Sequence, residues 1–224
     1  MISIRLQSIV DLITEDNNIA DIGSDHGYVL ISLRNKGFKS KLLGVENKLA
    51  PFKNLESGLK ENNINDVEIS LSDGLKEVGP EFKTIVIAGM GFDTIKKIIE
   101  ESKYKLENVE YFVIDSHTSF QKVRPYFISL GYDVDDEQII YEDSIYYQLI
   151  RFKKTNIKPN YSERELTYGP INISKKGNNF INYINSEIDT RKEILSKIPK
   201  SNKKFLKLLD EISKMEELLW IQGH

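Results

Sequence analysis

Short apolar runs alternate with amphipathic stretches through the first two thirds of the chain. The runs Ile19 to Ile22, Lys41 to Val45, Val67 to Leu71, Thr84 to Ala88 and Tyr111 to Ile114 have strand length and are bounded by turn residues. Before the first run, Leu6, Ile9, Val10 and Ile13 recur at helical spacing, and further helices are expected over 26–36, 49–62, 93–103 and 119–130. Strands that are apolar on both faces need helices above and below them, so the order predicts an α/β fold with a mostly parallel sheet. Two more strands, around Tyr132 to Ile140 and Ile145 to Phe152, are separated only by a turn at Glu142-Asp143. Such a short connection makes the sheet end in an antiparallel hairpin.

The pattern changes after Phe152. Lys153 to Tyr161 carries Pro159 and Asn160 and reads as a linker. Beyond Gly177 the residues Phe180, Ile184, Ile188, Leu195 and Ile198 keep a spacing near three to four, with Arg191 in the gap. Phe205, Leu208, Ile212, Met215 and Leu219 repeat the stripe past Pro199. Two helices joined by a Pro-containing turn make an α-helical coiled-coil hairpin. The expected division is residues 1–155 for the sheet domain and 156–222 for the helical one. A doubly wound sheet with a terminal antiparallel hairpin is the Rossmann-like architecture of class I methyltransferases, whereas dinucleotide dehydrogenases continue with parallel units.

Composition narrows the chemistry. With 224 residues, 40% of them hydrophobic and 29% charged, the chain fits a globular protein and excludes collagenous and wholly disordered classes. No apolar run approaches the roughly 18–20 residues that span a bilayer, and no basic-then-apolar leader opens the chain, so a cytoplasmic protein with no membrane partner is expected. The absence of cysteine excludes disulfides, thiolate metal sites and thiol nucleophiles. Three histidines, His26, His117 and His224, are too few for a histidine-rich metal centre, and no metal is expected. The net charge of −3 hides a split: 17 Lys/Arg face 25 Asp/Glu in residues 1–152, against 14 and 9 in 153–224. An acidic front and a basic tail fit chemistry in one part and a grip on a polyanion in the other, although a Lys-, Ile- and Asn-rich composition alone would also raise the count.

The run Asp21-Ile22-Gly23-Ser24-Asp25-His26-Gly27-Tyr28 sits where the first strand turns into a helix, the place where open α/β sheets bind ligands. Gly23 permits a tight turn and close approach of a ligand. The spacing lacks the full G-x-G-x-x-G of diphosphate binders, and Asp21 and Asp25 would repel phosphates but receive an amino group. Glu46 closes the second strand, where a carboxylate can accept both hydroxyls of a ribose, in a nicotinamide or an S-adenosylmethionine site alike. Asp73-Gly74 offers a carboxylate suited to an adenine amino group, beside a flexible turn. Ala88-Gly89-Met90-Gly91 ends the fourth strand at the same crevice, with glycines that leave room and a polarizable methionine wall.

In this order, Ala20 to Tyr28, Asp73-Gly74, Ala88 to Gly91, the Tyr168-Gly169-Pro170 entry to the tail and the coiled-coil hairpin resemble the bacterial tRNA adenine-22 N1-methyltransferase family. The resemblance covers nearly the whole chain. It implies S-adenosylmethionine held by Asp21, Gly23, Ser24, Glu46 and Asp73, with Asn47, Gly74, Ala88 and Gly89 completing the site. It places the target adenine near Asp25, His26 and Tyr28 as the catalytic group, with Met90, Gly91 and His117 on the substrate side. Two positions depart from the family pattern: Phe92 stands where a second glycine is usual, and Asp115-Ser116-His117 replaces a Gln-Pro-Asn-like segment. The tail cations Lys175, Lys176, Arg191, Lys192, Lys203 and Lys204 are expected to meet tRNA phosphates, and a monomer is the expected state with a dimer also open. Two other readings stand beside this one, a nicotinamide-dependent oxidoreductase and a non-catalytic coiled-coil scaffold.

Overall fold

The computed structural model describes residues 2–220; His224 and positions 221–222 of the expected tail lie outside the described residues. In chain order the elements are α1 (Ile4–Asp11), β1 (Ile19–Ile22), α2 (Tyr28–Asn35), β2 (Leu42–Glu46), α3 (Leu49–Glu61), β3 (Glu68–Leu71), β4 (Thr84–Met90), α4 (Phe92–Glu101), β5 (Tyr111–Ser116), α5 (Phe120–Ser129), β6 (Tyr132–Glu142) and β7 (Ile145–Lys154). The strands form one sheet in the order β3-β2-β1-β4-β5-β7-β6, parallel except for β7, which runs antiparallel to both of its neighbours. Strand order reverses between β1 and β4, so a crevice opens beyond their carboxyl ends.

The period of two along each strand sorts the core into two layers. Ile22, Ile87 and Ile114 face a layer closed by α4 and α5, with Phe92, Ile95 and Phe127. Ile19, Val86 and Val113 face the other, closed by α1, α2 and α3 through Ile9, Leu30 and Leu55. Two expected boundaries move for local reasons. The helix expected from residue 26 starts at Tyr28, because Asp25 and Gly27 both take positive φ and leave His26 in the loop. The hairpin turn falls on Asp143-Ser144, both at positive φ, as a two-residue turn between right-twisted strands requires.

Past β7 come α6 (Glu163–Tyr168), α7 (Pro170–Lys175), α8 (Asn178–Lys197) and α9 (Lys203–Trp220). The linker is shorter than expected, since β7 runs on to Lys154 and α6 begins with a Ser162/Glu165 capping box. The hairpin of α8 and α9 shares a core with the sheet: Ile139 of β6 packs with Phe180, Ile184, Ile188, Ile212 and Met215. Among the described residues, no helix is long and apolar enough to cross a membrane.

A buried ion pair joins the tail to the sheet. Arg124 of α5 and Glu137 of β6 are both fully buried, and the guanidinium Nη2 and Nε donate to Glu137 Oε2 at 2.6 and 2.8 Å. Arg124 Nη1 also reaches the last carbonyls of α6, at Leu166 (3.4 Å) and Thr167 (3.3 Å). Glu137 Oε1 accepts from the Ile171 and Asn172 amides (2.9 and 3.1 Å) in the first turn of α7. Each charge therefore meets the helix end of opposite partial charge. Gly169, at φ 96°, is required between the helices because a Cβ there would stand 2.2 Å from Glu137 Oε1. Glu137→Gln leaves Arg124 buried beside a neutral group and should lower unfolding free energy by about 3–5 kcal/mol. Urea denaturation checks this; a loss below about 1 kcal/mol would show that water replaces the lost charge.

Candidate active site

The loop after β1 is built to bring backbone close to a ligand. Gly23 donates its N–H to Val45 O (2.8 Å) and takes φ 79°, a left-handed conformation that favours glycine, with the Met90 methyl packed against it. Ser24 is buried and its hydroxyl donates to Asp21 O (2.7 Å), which makes it a brace of the turn. Asp21 is 3% exposed. Burial pushes its carboxyl up to about 7, with the nearby Glu46 charge adding to the effect.

Glu46 closes β2, buried, and its Oε1 accepts the Asp25 N–H (2.5 Å). Burial raises its pKa; the backbone N–H of Asp25 opposes that shift and the Asp25 charge reinforces it. Glu46, Asn47, Asp73, Gly74 and Met90 line one cleft with Gly23, with a cavity volume of about 140 Å³. Ser72, Thr94, Lys97, Ile98 and Glu101 complete its wall and were not anticipated. Thr94, Lys97, Ile98 and Glu101 recur at helical spacing, so one face of the helix after Gly91 carries the signal that would have found them. Asp73 is exposed and receives Lys76 Nζ (3.1 Å) and the Asn47 side-chain amide (3.5 Å); the Lys76 contact holds its carboxyl below the usual range.

The expected catalytic residues gather on the outer side of the loop. His26 and Tyr28 stack at 5.5 Å with their planes 25° apart, and His26 Nε2 lies 3.8 Å from Asp25 Oδ2. Asn54 of α3, also unanticipated, donates to Asp25 Oδ1 (3.2 Å). Asp25 therefore touches the cleft through its N–H on Glu46 and the surface through its carboxylate.

The remaining expected residues divide. Ala88 packs into the α1–α3 layer and Gly89 is exposed at a bulge in β4, so neither lines the cleft. Gly91 precedes α4, and His117 donates its N–H to Met90 O (2.9 Å). In the tail, Lys175 pairs with Asp136 (2.8 Å), Lys192 with Glu216 (2.9 Å), and Lys176 Nζ donates to Leu219 O (3.4 Å). Arg191 is clamped between Glu187 and Glu211 (2.8 and 3.0 Å), and the second pair fastens α8 to α9. Lys203 and Lys204 are exposed and form no ion pair among the described residues. Among those residues, no group of three or more His, Cys, Asp or Glu could hold a metal ion.

The sequence matches the family described as a methyltransferase domain over residues 2–150. The chain belongs to that family. Over 230 residues it is 26% identical to the tRNA (adenine(22)-N(1))-methyltransferase of Bacillus subtilis strain 168, with 97% of each chain covered. Its fold is similar to that of M. capricolum TrmK in complex with S-adenosyl-homocysteine, with a TM-score of 0.83, 28% identity and 97% of each chain covered. Streptococcus pneumoniae Sp1610 shares the fold at a TM-score of 0.91 and 24% identity, over 98% of this chain and 100% of that one. The likeness in fold to these two proteins thus extends through the helical tail.

Asp21 makes stability depend on pH in a direction opposite to that of a salt-bridged carboxylate. Its folded pKa of about 7 stands above the unfolded value of 3.8, so the folded state keeps a proton the unfolded chain releases. Stability falls as pH rises between those values. Asp21→Asn should therefore gain roughly 2–3 kcal/mol on the parent between pH 5 and 8, measured by denaturation at each pH. Parallel profiles for the two proteins would contradict a raised Asp21.

Proposed function

We propose that this chain transfers the methyl group of S-adenosylmethionine to N1 of adenine 22 in tRNA. The observation that carries the reading is the placement of Asp25, bonded through its backbone to the cleft carboxylate Glu46 and presenting its own carboxylate beside the His26–Tyr28 stack. The cleft suits the methyl donor: Glu46, Asp73 and Glu101 line it against a single cation, Lys97, which fits a ribose and an ammonium and opposes the diphosphate of a nicotinamide dinucleotide. Glu46 would hold the ribose hydroxyls, Asp21 the amino group, and Asn47, Asp73 and Gly74 the adenine end, with Gly23 and Met90 as walls. Bound there, S-adenosylmethionine supplies an electrophilic methyl.

Adenine N1 carries an in-plane lone pair and needs no base to remove a proton, so positioning dominates the work of the protein. His26 and Tyr28 offer an aromatic surface for the base. The methylated base gains positive charge, and the Asp25 carboxylate stabilises that charge as it develops. N1 lies on the Watson–Crick edge, so the nucleotide must leave its pair at a cost of a few kcal/mol. Contacts elsewhere on the RNA offset this cost. In this reading residues 1–155 hold the cofactor and 156–222 grip tRNA, in a monomeric cytoplasmic protein. Lys203 and Lys204, exposed at the start of α9, would meet phosphates.

Calorimetry tests the donor: heat with S-adenosylmethionine and none with NADH is the expected result, and the reverse supports the oxidoreductase. Asp25→Asn should lower kcat for tRNA methylation by about 10²–10³ with cofactor affinity nearly unchanged. A loss confined to cofactor affinity would move Asp25 out of the catalytic group. Charge reversal at Lys203 and Lys204 should flatten the slope of log tRNA affinity against log salt by at least roughly 1.5 units, from about 0.7–0.9 per phosphate contact. An unchanged slope would assign these lysines to solvent.

A further inference from the structure

Arg5, on the first turn of α1, crosses to the carboxyl end of β5. Its Nη1 donates to Asp115 Oδ2 and lies 3.4 Å from His117 Nε2, which is itself 3.4 Å from the same carboxylate oxygen. The guanidinium lies 5.2 Å from the centre of the Tyr147 ring, and the His117 ring is 5.5 Å from that ring. The Asp115 side chain is wholly buried, while Arg5 keeps 20% and His117 40% of their side-chain surface exposed. Asp115 Oδ1 is buried without a hydrogen-bond partner among the described residues. A buried carboxylate needs a fixed cationic partner, and Arg5 supplies it.

The cluster adjoins the proposed site without belonging to the cofactor cleft. Asp115 is level with Ala88 in the sheet, and a Cβ on Gly89 would stand 3.9 Å from Arg5 Nη1. The guanidinium thus lies over β4 just before Met90, which walls the cleft. Asp115 shares a sheet face with Val113, the face covered by α1 and α2, and α2 begins at Tyr28. Among the described residues Arg5 uses only Nη1 in its polar contacts; Nε and Nη2 have no protein partner.

Given the function proposed above, on which this step rests, we infer that Arg5 binds an RNA phosphodiester next to the target adenosine. Asp115 positions it, Tyr147 supports the guanidinium plane, and His117 stands beside it. A phosphate suits the site better than the base does. Methylation at N1 makes the base cationic, and a guanidinium against it would oppose the reaction, whereas a phosphate accepts parallel donors from a planar fork. Residues 1–152 carry 25 Asp/Glu against 17 Lys/Arg, so RNA held close to this region needs a fixed cation.

The test compares Arg5→Gln and Arg5→Lys with the unaltered protein in methylation of a tRNA transcript, with S-adenosylmethionine affinity measured by calorimetry. Arg5→Gln should lower kcat/KM for tRNA about 10- to 100-fold and flatten its log–log salt slope by roughly 0.7–0.9, leaving cofactor affinity unchanged. Arg5→Lys should keep the slope and recover part of the rate, since it retains the charge and loses the fork. An unaltered salt slope in Arg5→Gln, or a loss located in cofactor affinity, overturns the phosphate contact while the methyltransfer reading stands. Absence of N1-methyladenosine with the unaltered protein overturns that reading and the contact together.

Discussion

Two opposite charges withdrawn from water must find all their partners inside the protein, and Arg124 and Glu137 find theirs where sheet and tail meet. The carboxylate caps the first turn of α7 while the guanidinium takes the last carbonyls of α6. The turn between those helices is consequently fixed, Gly169 is the residue that allows it, and α8 leaves α7 in a set direction. Ile139, two residues beyond Glu137 on β6, then meets Phe180 and the apolar seam of the hairpin. The tail is anchored through the same strand that ends the sheet, so its helices keep a defined place relative to the crevice.

The opposite constraint acts at the crevice, where the chain keeps acidic groups close together and partly out of water. Asp21 and Glu46 both have raised pKa values because burial penalises their charge. A ligand with an ammonium group would relieve that penalty, which ties binding to the deprotonated form of Asp21. Stability of the unliganded protein and affinity for a cationic donor therefore pull in opposite directions at one residue, as is common where a site is preorganised.

Most of the sheet was legible because its strands are buried and strongly apolar, and seven helices, five around the sheet and two in the tail, showed their spacing. What escaped reading has a physical reason in each case. α6 and α7 are six residues each, too short to show a period, and their stability comes from Ser162, Glu165 and the Arg124–Glu137 pair. Arg124 itself reads as a surface cation next to Pro125 until its buried partners are seen. At the site, Asp21, Gly23 and Glu46 were recognisable because topology dictates their places. The α4 wall and Asn54 were not, since they enter the site from helices whose outward face looks like ordinary solvent-exposed surface.

Charge counting alone does not reveal which tail cations also have partners within the protein. The tail's excess of cations pointed to six phosphate-binding residues, yet Arg191, Lys192 and Lys175 are engaged by Glu187, Glu211, Glu216 and Asp136. Long amphipathic helices need such pairs to hold their register, so a cation on them is more often a fastener than a contact. Lys203 and Lys204, at the start of α9, are exposed and form no ion pair among the described residues. Arg5 follows the converse logic: its buried acidic partner fixes one nitrogen and thereby aims the other two. Whether a cation can serve a ligand is thus decided by the donors its own protein leaves unused, which composition does not reveal.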